Sequence, residues 1–132
     1  MSPKESSIAP VEQPFIDGCH QGVLRLQRCT RCHRHQFYPR LVCGYCWARD
    51  LEWVSASGKG RIASFTVVRL AVSPAHEAPY VVALVDLEEG PRMMSRVTDC
   101  DPESVQIGAQ VKVAFAETSD GAPLPVFEPD ND

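Results

Sequence analysis

The 132-residue chain has no stretch of about 20 apolar residues, the length a helix needs to span a membrane. Its first residues, MSPKESSIAPVEQP, are polar and rich in Pro and Ser, without the apolar segment of a secretory signal. On both absences the chain reads as cytoplasmic, a compartment where thiols stay reduced and paired cysteines are expected to be metal ligands rather than disulfides. Catalytic motifs are missing too: there is no Gly-rich phosphate loop, nucleophile elbow, HExxH pair or Ser/His/Asp arrangement. His76, in SPAHEAP, reads as a solvated loop residue. The chain offers no catalytic constellation of its own.

Charge of one sign is missing locally. Between Gly18 and Arg49 there is no Asp or Glu, while Arg25, Arg28, Arg31, Arg34, Arg40 and Arg49 all fall there. From Val97 onward eight acids face one base, Lys112, and the whole chain carries a net charge of −4. A basic module joined to an acidic one suits an anionic ligand held at the first and repelled at the second. The plainer reading is that these arginines solvate a small, metal-held module.

Four of the six cysteines lie in RCTRCHRHQFYPRLVCGYC. Their spacing is Cys29-x2-Cys32, ten residues, then Cys43-x2-Cys46. A two-residue gap lets both thiolates of a pair converge on one metal from a tight turn, and two facing turns complete a tetrahedral zinc site. A closed shell of four thiolates leaves no open position for substrate, so the zinc, one per chain, is structural. It supplies folding energy that so small a module cannot draw from a core. A thioredoxin-like redox centre needs one such pair at a helix start, not two facing pairs. Rubredoxin-type iron uses similar turns, and the ligand set alone does not separate it from zinc. His33 and Trp47 stand where such turns usually carry Gly, and His33 and His35 are close enough in sequence to compete as ligands. Cys19 and Cys100 have no partner at ligand spacing and read as core or surface thiols.

Around the cysteines the chain is mainly β. Residues 1–11 read as a flexible tail and 12–28 as a helical segment with an entry strand. The ribbon covers 29–54 and a barrel domain 58–129. The helix is expected over Gln13–His20, with Phe15, Ile16 and Cys19 as its apolar stripe and Gly22 as its stop. VLRLQ and LEWV are short strands, and SASGKG is a turn. RIASFTVVRLAV, YVVALVDL, RMMSRV, VKVAF and PLPVF follow as strands rich in β-branched residues. One helical turn is expected in DCDPESVQIG, with Asp101 as N-cap, Pro102 at the first helical position and Glu103 behind it. Five strands with a short helix between the third and fourth fit a five-stranded OB-fold barrel.

The ordered run of zinc ribbon, SGKGRIASFTVVR, PYVVALVDLEEGPRMMSRV, DPESVQIGAQVKVAF and LPVFEP resembles the zinc-ribbon/OB-fold family known as domain of unknown function 35. The resemblance runs from about Gln13 to Pro129. It implies an N-terminal helical segment, a rubredoxin-like zinc ribbon holding its metal through Cys29, Cys32, Cys43 and Cys46, and a C-terminal OB-fold. It also implies a non-catalytic accessory subunit in a hetero-oligomer with a thiolase-like, aldolase or MaoC-like hydratase protein. Such a subunit helps hold acyl-CoA, and the partner performs the chemistry.

Coenzyme A carries phosphates that arginine forks and lysine ammoniums bind well. The candidate contacts for acyl-CoA or partner are Lys59 and Arg61 at the entry to the first barrel strand, Arg69 at its end, and Arg92 and Arg96. These last two flank Met94 on one strand face. The plainer reading pairs these arginines with nearby Glu88 and Glu89. The alternative function is nucleic-acid binding, since zinc ribbons and OB-folds both serve it. Arg61, Phe65 and Arg69 alternate on one expected strand face, but only 8% of the chain is aromatic and no basic, aromatic-lined stripe crosses the barrel. An independent acyl-CoA-binding or hydrolytic protein is disfavoured by the lack of a nucleophile–base pair.

Overall fold

The computed structural model describes residues 11–70, 78–117, 121 and 123–130. Most of the expected tail, the last residues of the expected first barrel strand and the His76 loop lie outside the described residues. The helix α1 spans Gln13–Gln21, with Pro14 in its first turn, where a missing N–H costs nothing. Gly22 ends it at φ 74°, a left-handed conformation that glycine adopts without strain. Cys19 is buried beneath the helix and Phe15 packs against the core. No described helix is long and apolar enough to cross a membrane.

A small antiparallel sheet follows. Its central strand β1 (Arg25–Cys29) lies between β2 (His35–Gln36) and β3 (Leu51–Ser55). β2 was not foreseen. With two residues it is too short for any alternation to show in the sequence.

The barrel is built from β4 (Lys59–Val68), β5 (Tyr80–Leu87), β6 (Arg92–Val97), β7 (Gln110–Ala116) and β8 (Leu124–Pro129). It closes in the order β4-β5-β6-β8-β7, with β4 also paired to β7. The expected mainly β architecture of ribbon plus five-stranded OB-like barrel is what the chain forms. β5 shows why: Val81, Ala83, Val85 and Leu87 alternate into the core, as a strand's period of two requires. Val111, Val113 and Phe115 do the same from β7. Between β6 and β7 the helical expectation reduces to a single 3-10 turn, Pro102–Ser104, capped by the Asp101 carboxylate accepting from the Glu103 N–H.

The register corrects one expectation. The pairing of β4 with β5 shifts between Ile62 and Ser64, a β-bulge that takes up one extra residue. Ile62 therefore points inward, and after the bulge Phe65 and Val67 do so as well. Phe65 thus lies on the opposite face from exposed Arg61, and Arg69 lies just beyond the strand end at Val68. The alternating Arg61, Phe65 and Arg69 face does not exist.

Ribbon and barrel share one core. Leu24 and Leu26, from the start of the small sheet, are 1% and 0% exposed and cluster with Ile62, Val85, Val111 and Phe127. At Gly60 the strands approach closely. A Cβ there would lie 2.7 Å from the Val85 Cγ1 and 2.8 Å from the Asp86 carbonyl oxygen. Gly60→Ala is expected to destabilise the barrel by about 1–3 kcal/mol, read as a lower urea midpoint.

Candidate metal centre and the cationic barrel edge

Two turns of matching geometry carry the cysteines. In the first, the His33 N–H donates to the Cys29 carbonyl and the Cys29 N–H to the Arg34 carbonyl, both at 2.9 Å. In the second, the Trp47 N–H donates to the Cys43 carbonyl at 3.0 Å and the Cys43 N–H to the Ala48 carbonyl at 2.8 Å. His33 and Trp47 both sit at φ 66°, in the left-handed region. The glycine-like conformation expected at these two positions is present even though neither residue is glycine.

The turns bring four sulfurs together. The Sγ atoms of Cys29, Cys32, Cys43 and Cys46 lie within 4.8 Å of one another. The Cys29–Cys46 and Cys32–Cys43 sulfur pairs are 3.6 Å apart. A tetrahedral site with Zn–S bonds of about 2.3 Å would separate its sulfurs by about 3.8 Å, so the arrangement fits this ion. Backbone N–H groups point at the sulfurs, from Arg31 and Cys32 to Cys29 and from Tyr45 to Cys43. Neither His33 nor His35 belongs to the cluster, and His33 Nδ1 lies 3.0 Å from an Arg28 guanidinium nitrogen instead.

The electrostatics favour thiolate on the inner sulfurs. The Cys32 N–H is the main cause that lowers the Cys29 thiol below its usual range, against its burial. Burial resists ionisation of Cys43 most, yet N–H donors from Cys46 and Tyr45 together with the neighbouring thiols bring it down to about 6. The Ala48 N–H favours the Cys46 thiolate, but desolvation and the three neighbouring sulfurs drive this thiol up to about 11. A divalent cation removes that conflict and lets all four sulfurs ionise.

A buried amide pair fixes the second turn, and sequence reasoning missed it. Gln27 and Gln36 are 3% and 5% exposed, on adjacent strands β1 and β2. The Gln27 Oε1 accepts from Gln36 Nε2 and from the Arg40 N–H, both at 2.7 Å, and its Nε2 donates to the Arg40 carbonyl at 2.8 Å. The Gln36 Oε1 accepts from the Gly44 N–H at 2.9 Å, inside the second turn. The only signal in the sequence was a polar residue between Leu26 and Arg28, two positions before Cys29 on the same strand.

The five candidate cations are not gathered in one place. Arg61 on β4, Asp86 on β5 and Arg92 on β6 form one row across three strands. Exposed Lys59 lies two residues before Arg61 on the same strand. Beside this row a cleft of about 470 Å³ is lined by Lys59 and Arg61 but also by Asp86, Glu88 and Asp130, so its charge is mixed. Arg92 binds Asp86 through two hydrogen bonds of 2.6 and 3.2 Å, not Glu88 or Glu89 as expected. Arg69 pairs with Glu103 at 2.6 Å, and Arg96 lies 5.2 Å over the Tyr80 ring. Arg92 and Arg96 do flank exposed Met94 on one face of β6, the opposite face from buried Met93 and Val97.

The hydrogen bond from Arg92 is the main cause holding the Asp86 carboxyl below its usual range. A carboxyl lowered in the folded state contributes stability above its unfolded value, near pH ~3.9, and loses it as pH falls through the lower folded value. Arg92→Ala should therefore return the Asp86 titration toward the ordinary carboxylate range, visible by NMR, and shift acid unfolding slightly upward in pH.

Comparison with known proteins agrees with this geometry. Residues 17–52 match the family described as "ChsH2, rubredoxin-like zinc ribbon domain", and residues 53–116 match "ChsH2, C-terminal OB-fold domain". A "DUF35 domain-containing scaffold protein" of Methanothermobacter thermautotrophicus is 42% identical over 90 residues, covering 67% of this chain and 68% of that protein. A "Probable enoyl-CoA hydratase alpha subunit" of Thermomonospora curvata is 35% identical over 115 residues, which are 87% of this chain but 36% of that protein. The chain thus spans about a third of that longer relative. A solved structure described as "Ltp2-ChsH2(DUF35) aldolase" superposes with a TM-score of 0.83 at 33% identity, over 95% of this chain and 98% of the other. The zinc-ribbon and OB-fold models match consecutive stretches of the chain, and it belongs to the DUF35 family.

Proposed function

We propose that this chain is a non-catalytic accessory subunit of an acyl-CoA enzyme, a thiolase-like, aldolase or MaoC-like hydratase protein, and that its ribbon holds one structural zinc. The observation that carries this reading is the end-to-end likeness to a chain solved in an aldolase assembly. The state of the other cysteines supports the non-catalytic part. Burial raises the Cys19 thiol, and burial with Asp101 and Asp99 nearby raises that of Cys100. A nucleophile needs the opposite shift. The four ribbon sulfurs are committed to one another, and a closed four-thiolate shell leaves no position for substrate.

Assembly with the partner would place acyl-CoA near the Lys59, Arg61 and Arg92 edge, where two guanidiniums and an ammonium suit phosphate oxygens. The Asp86 carboxylate already occupies the Arg92 fork, which makes Arg61 the stronger contact. The purified chain alone should turn over no acyl-CoA thioester by thiolysis, hydration or aldol cleavage. Added to its purified partner, it should raise that enzyme's activity or stability. Turnover by the isolated chain would refute the accessory role. Within the complex, Arg61→Ala should weaken acyl-CoA binding about 10- to 100-fold, since one charge-assisted contact contributes about 1.5–3 kcal/mol. Unchanged affinity would return Arg61 to the solvated surface.

A further inference from the structure

We infer that the outer turn of the ribbon, centred on Trp47, is the surface that docks onto the partner enzyme, and that the partner meets it with an acidic, apolar-centred patch. This rests on the accessory reading above and adds the place of contact. Eight large hydrophobic residues are exposed among the described residues, and four of them fall between 38 and 47. They are Tyr38 at 53%, Leu41 at 79%, Tyr45 at 51% and Trp47 at 78%. Scattered single exposures are ordinary on a soluble protein. Tyr38 lines an apolar hollow with Phe15, Met94 and Leu124 beside the barrel, which leaves Leu41, Tyr45 and Trp47 exposed on the second cysteine turn and the residues leading into it.

Trp47 is the sharpest case. It occupies a left-handed backbone position that suits glycine, and its ring makes no aromatic contact or hydrogen bond among the described residues. The fold accepts that backbone position and leaves 78% of the residue exposed. The turn itself accounts for the backbone conformation, which His33 shares at φ 66°, so it is the exposed indole that points to a use outside the chain. The turn is also held rigid, by Cys43 and Cys46 in the sulfur cluster and by Gly44 on the buried glutamine pair, so docking orders little new structure.

Charge identifies the occupant. No acid lies between Gly18 and Arg49. Arg28 and Arg31 pair with Glu52 and Asp50 from the following strand and its approach, whereas Arg34, in a hollow it shares with Glu89, and Arg49 form no ion pair among the described residues. Arg34 instead lies 4.8 Å over the Tyr45 ring. Trp, Tyr and Arg are the residues that dominate the centres of protein interfaces. A carboxylate-bearing surface satisfies these guanidiniums, and its apolar centre covers Trp47 and Leu41. A nucleic acid fits less well. Leu41 is as exposed as Trp47 and has no face on which a base can stack, and the eight acids after Val97 repel a phosphate backbone.

The test exploits the strain. Trp47→Gly removes the ring and also relieves the left-handed backbone, and His33→Gly relieves the matching position in the other turn. Both are made in the zinc-loaded full chain. Affinity is measured by calorimetry against the enzyme subunit that co-purifies with the tagged chain, expressed and purified separately. Trp47→Gly should raise the dissociation constant at least ~10-fold, with metal content unchanged and a thermal midpoint at or above that of the wild type. His33→Gly, which removes a smaller polar ring beside Arg34 and Tyr45, should weaken binding clearly less than Trp47→Gly does. Arg49→Glu should weaken binding more at low salt than at high salt. Wild-type affinity in Trp47→Gly, or equal loss in both glycine variants, overturns the docking surface while leaving the accessory role intact. No complex between the wild-type chain and any enzyme subunit overturns both. Two further findings also overturn it: a Trp47-dependent complex with a single-stranded oligonucleotide of about 16 nucleotides, or Trp47-dependent self-association in sedimentation.

Discussion

Cys43→Ser is expected to release the metal and unfold the ribbon. Cys43 is fully buried, and with Cys29 and Ala48 it makes up the whole of the ribbon's own buried cluster, with Cys32 and Leu51 packed beside it. Three small buried residues cannot offset the entropy of ordering about 25. The balance comes from the metal, which contributes about 10–16 kcal/mol of folding free energy in zinc-finger peptides. The damage should spread, because Leu24 and Leu26 lie in the barrel's core cluster rather than in the ribbon's. Metal analysis of the variant should find no bound zinc, and protease should cut between the two cysteine pairs. The barrel's own thermal midpoint should fall as well. A chelator applied to the wild-type chain should reproduce all three effects. A ribbon that resists protease without metal would contradict the structural role of the site, and an unchanged barrel would contradict the shared core.

Gln27→Leu is the second large effect. The replacement keeps the volume of the side chain but removes both its donor and its acceptors. The Gln36 amide, the Arg40 N–H and the Arg40 carbonyl each lose a partner at 2.7 or 2.8 Å. Each polar group left unsatisfied in a buried site costs about 1–3 kcal/mol. Some relaxation toward water is open to exposed Arg40, so a total loss of about 2–4 kcal/mol is expected in denaturant unfolding. The loop carrying Tyr38, Leu41 and Tyr45 should also lose order, read as faster amide exchange at Arg40 and Gly44. A stability change under about 0.5 kcal/mol, the usual range for a surface substitution, would show that the pair does not hold the loop.

Much of this architecture was legible because local rules and tertiary structure agree. YVVALVDL alternates cleanly and forms the strand Tyr80–Leu87 over those same residues. The two cysteine pairs converge as their spacing requires, and Gly22 and Asp101 act as the helix stop and cap they resemble. The failures have physical causes. The bulge after Ile62 inverts the alternation within β4, and no residue type announces it, so Phe65 was placed on the wrong face. Nothing in the sequence marks Gln27 and Gln36 as buried, because a polar side chain on a strand usually faces water. Their burial depends on a loop folding over them from residues 37 to 44. The partner of Arg92 was sought in Glu88 and Glu89, the nearest acids in sequence, whereas the hairpin register sets Arg92 opposite Asp86. Sequence proximity gave way to cross-strand pairing, and the same register joined Arg61 to that row.

The measurement that bears most directly on the accessory role is purification of the tagged full chain from its native host under gentle conditions. Native mass spectrometry of the complex would follow, with an assay of the partner before and after the chain is removed. The account predicts a stoichiometric acyl-CoA enzyme subunit, one zinc per chain, and a partner whose activity or stability falls when the chain is stripped away. A preparation holding nucleic acid, or the chain alone, would contradict it.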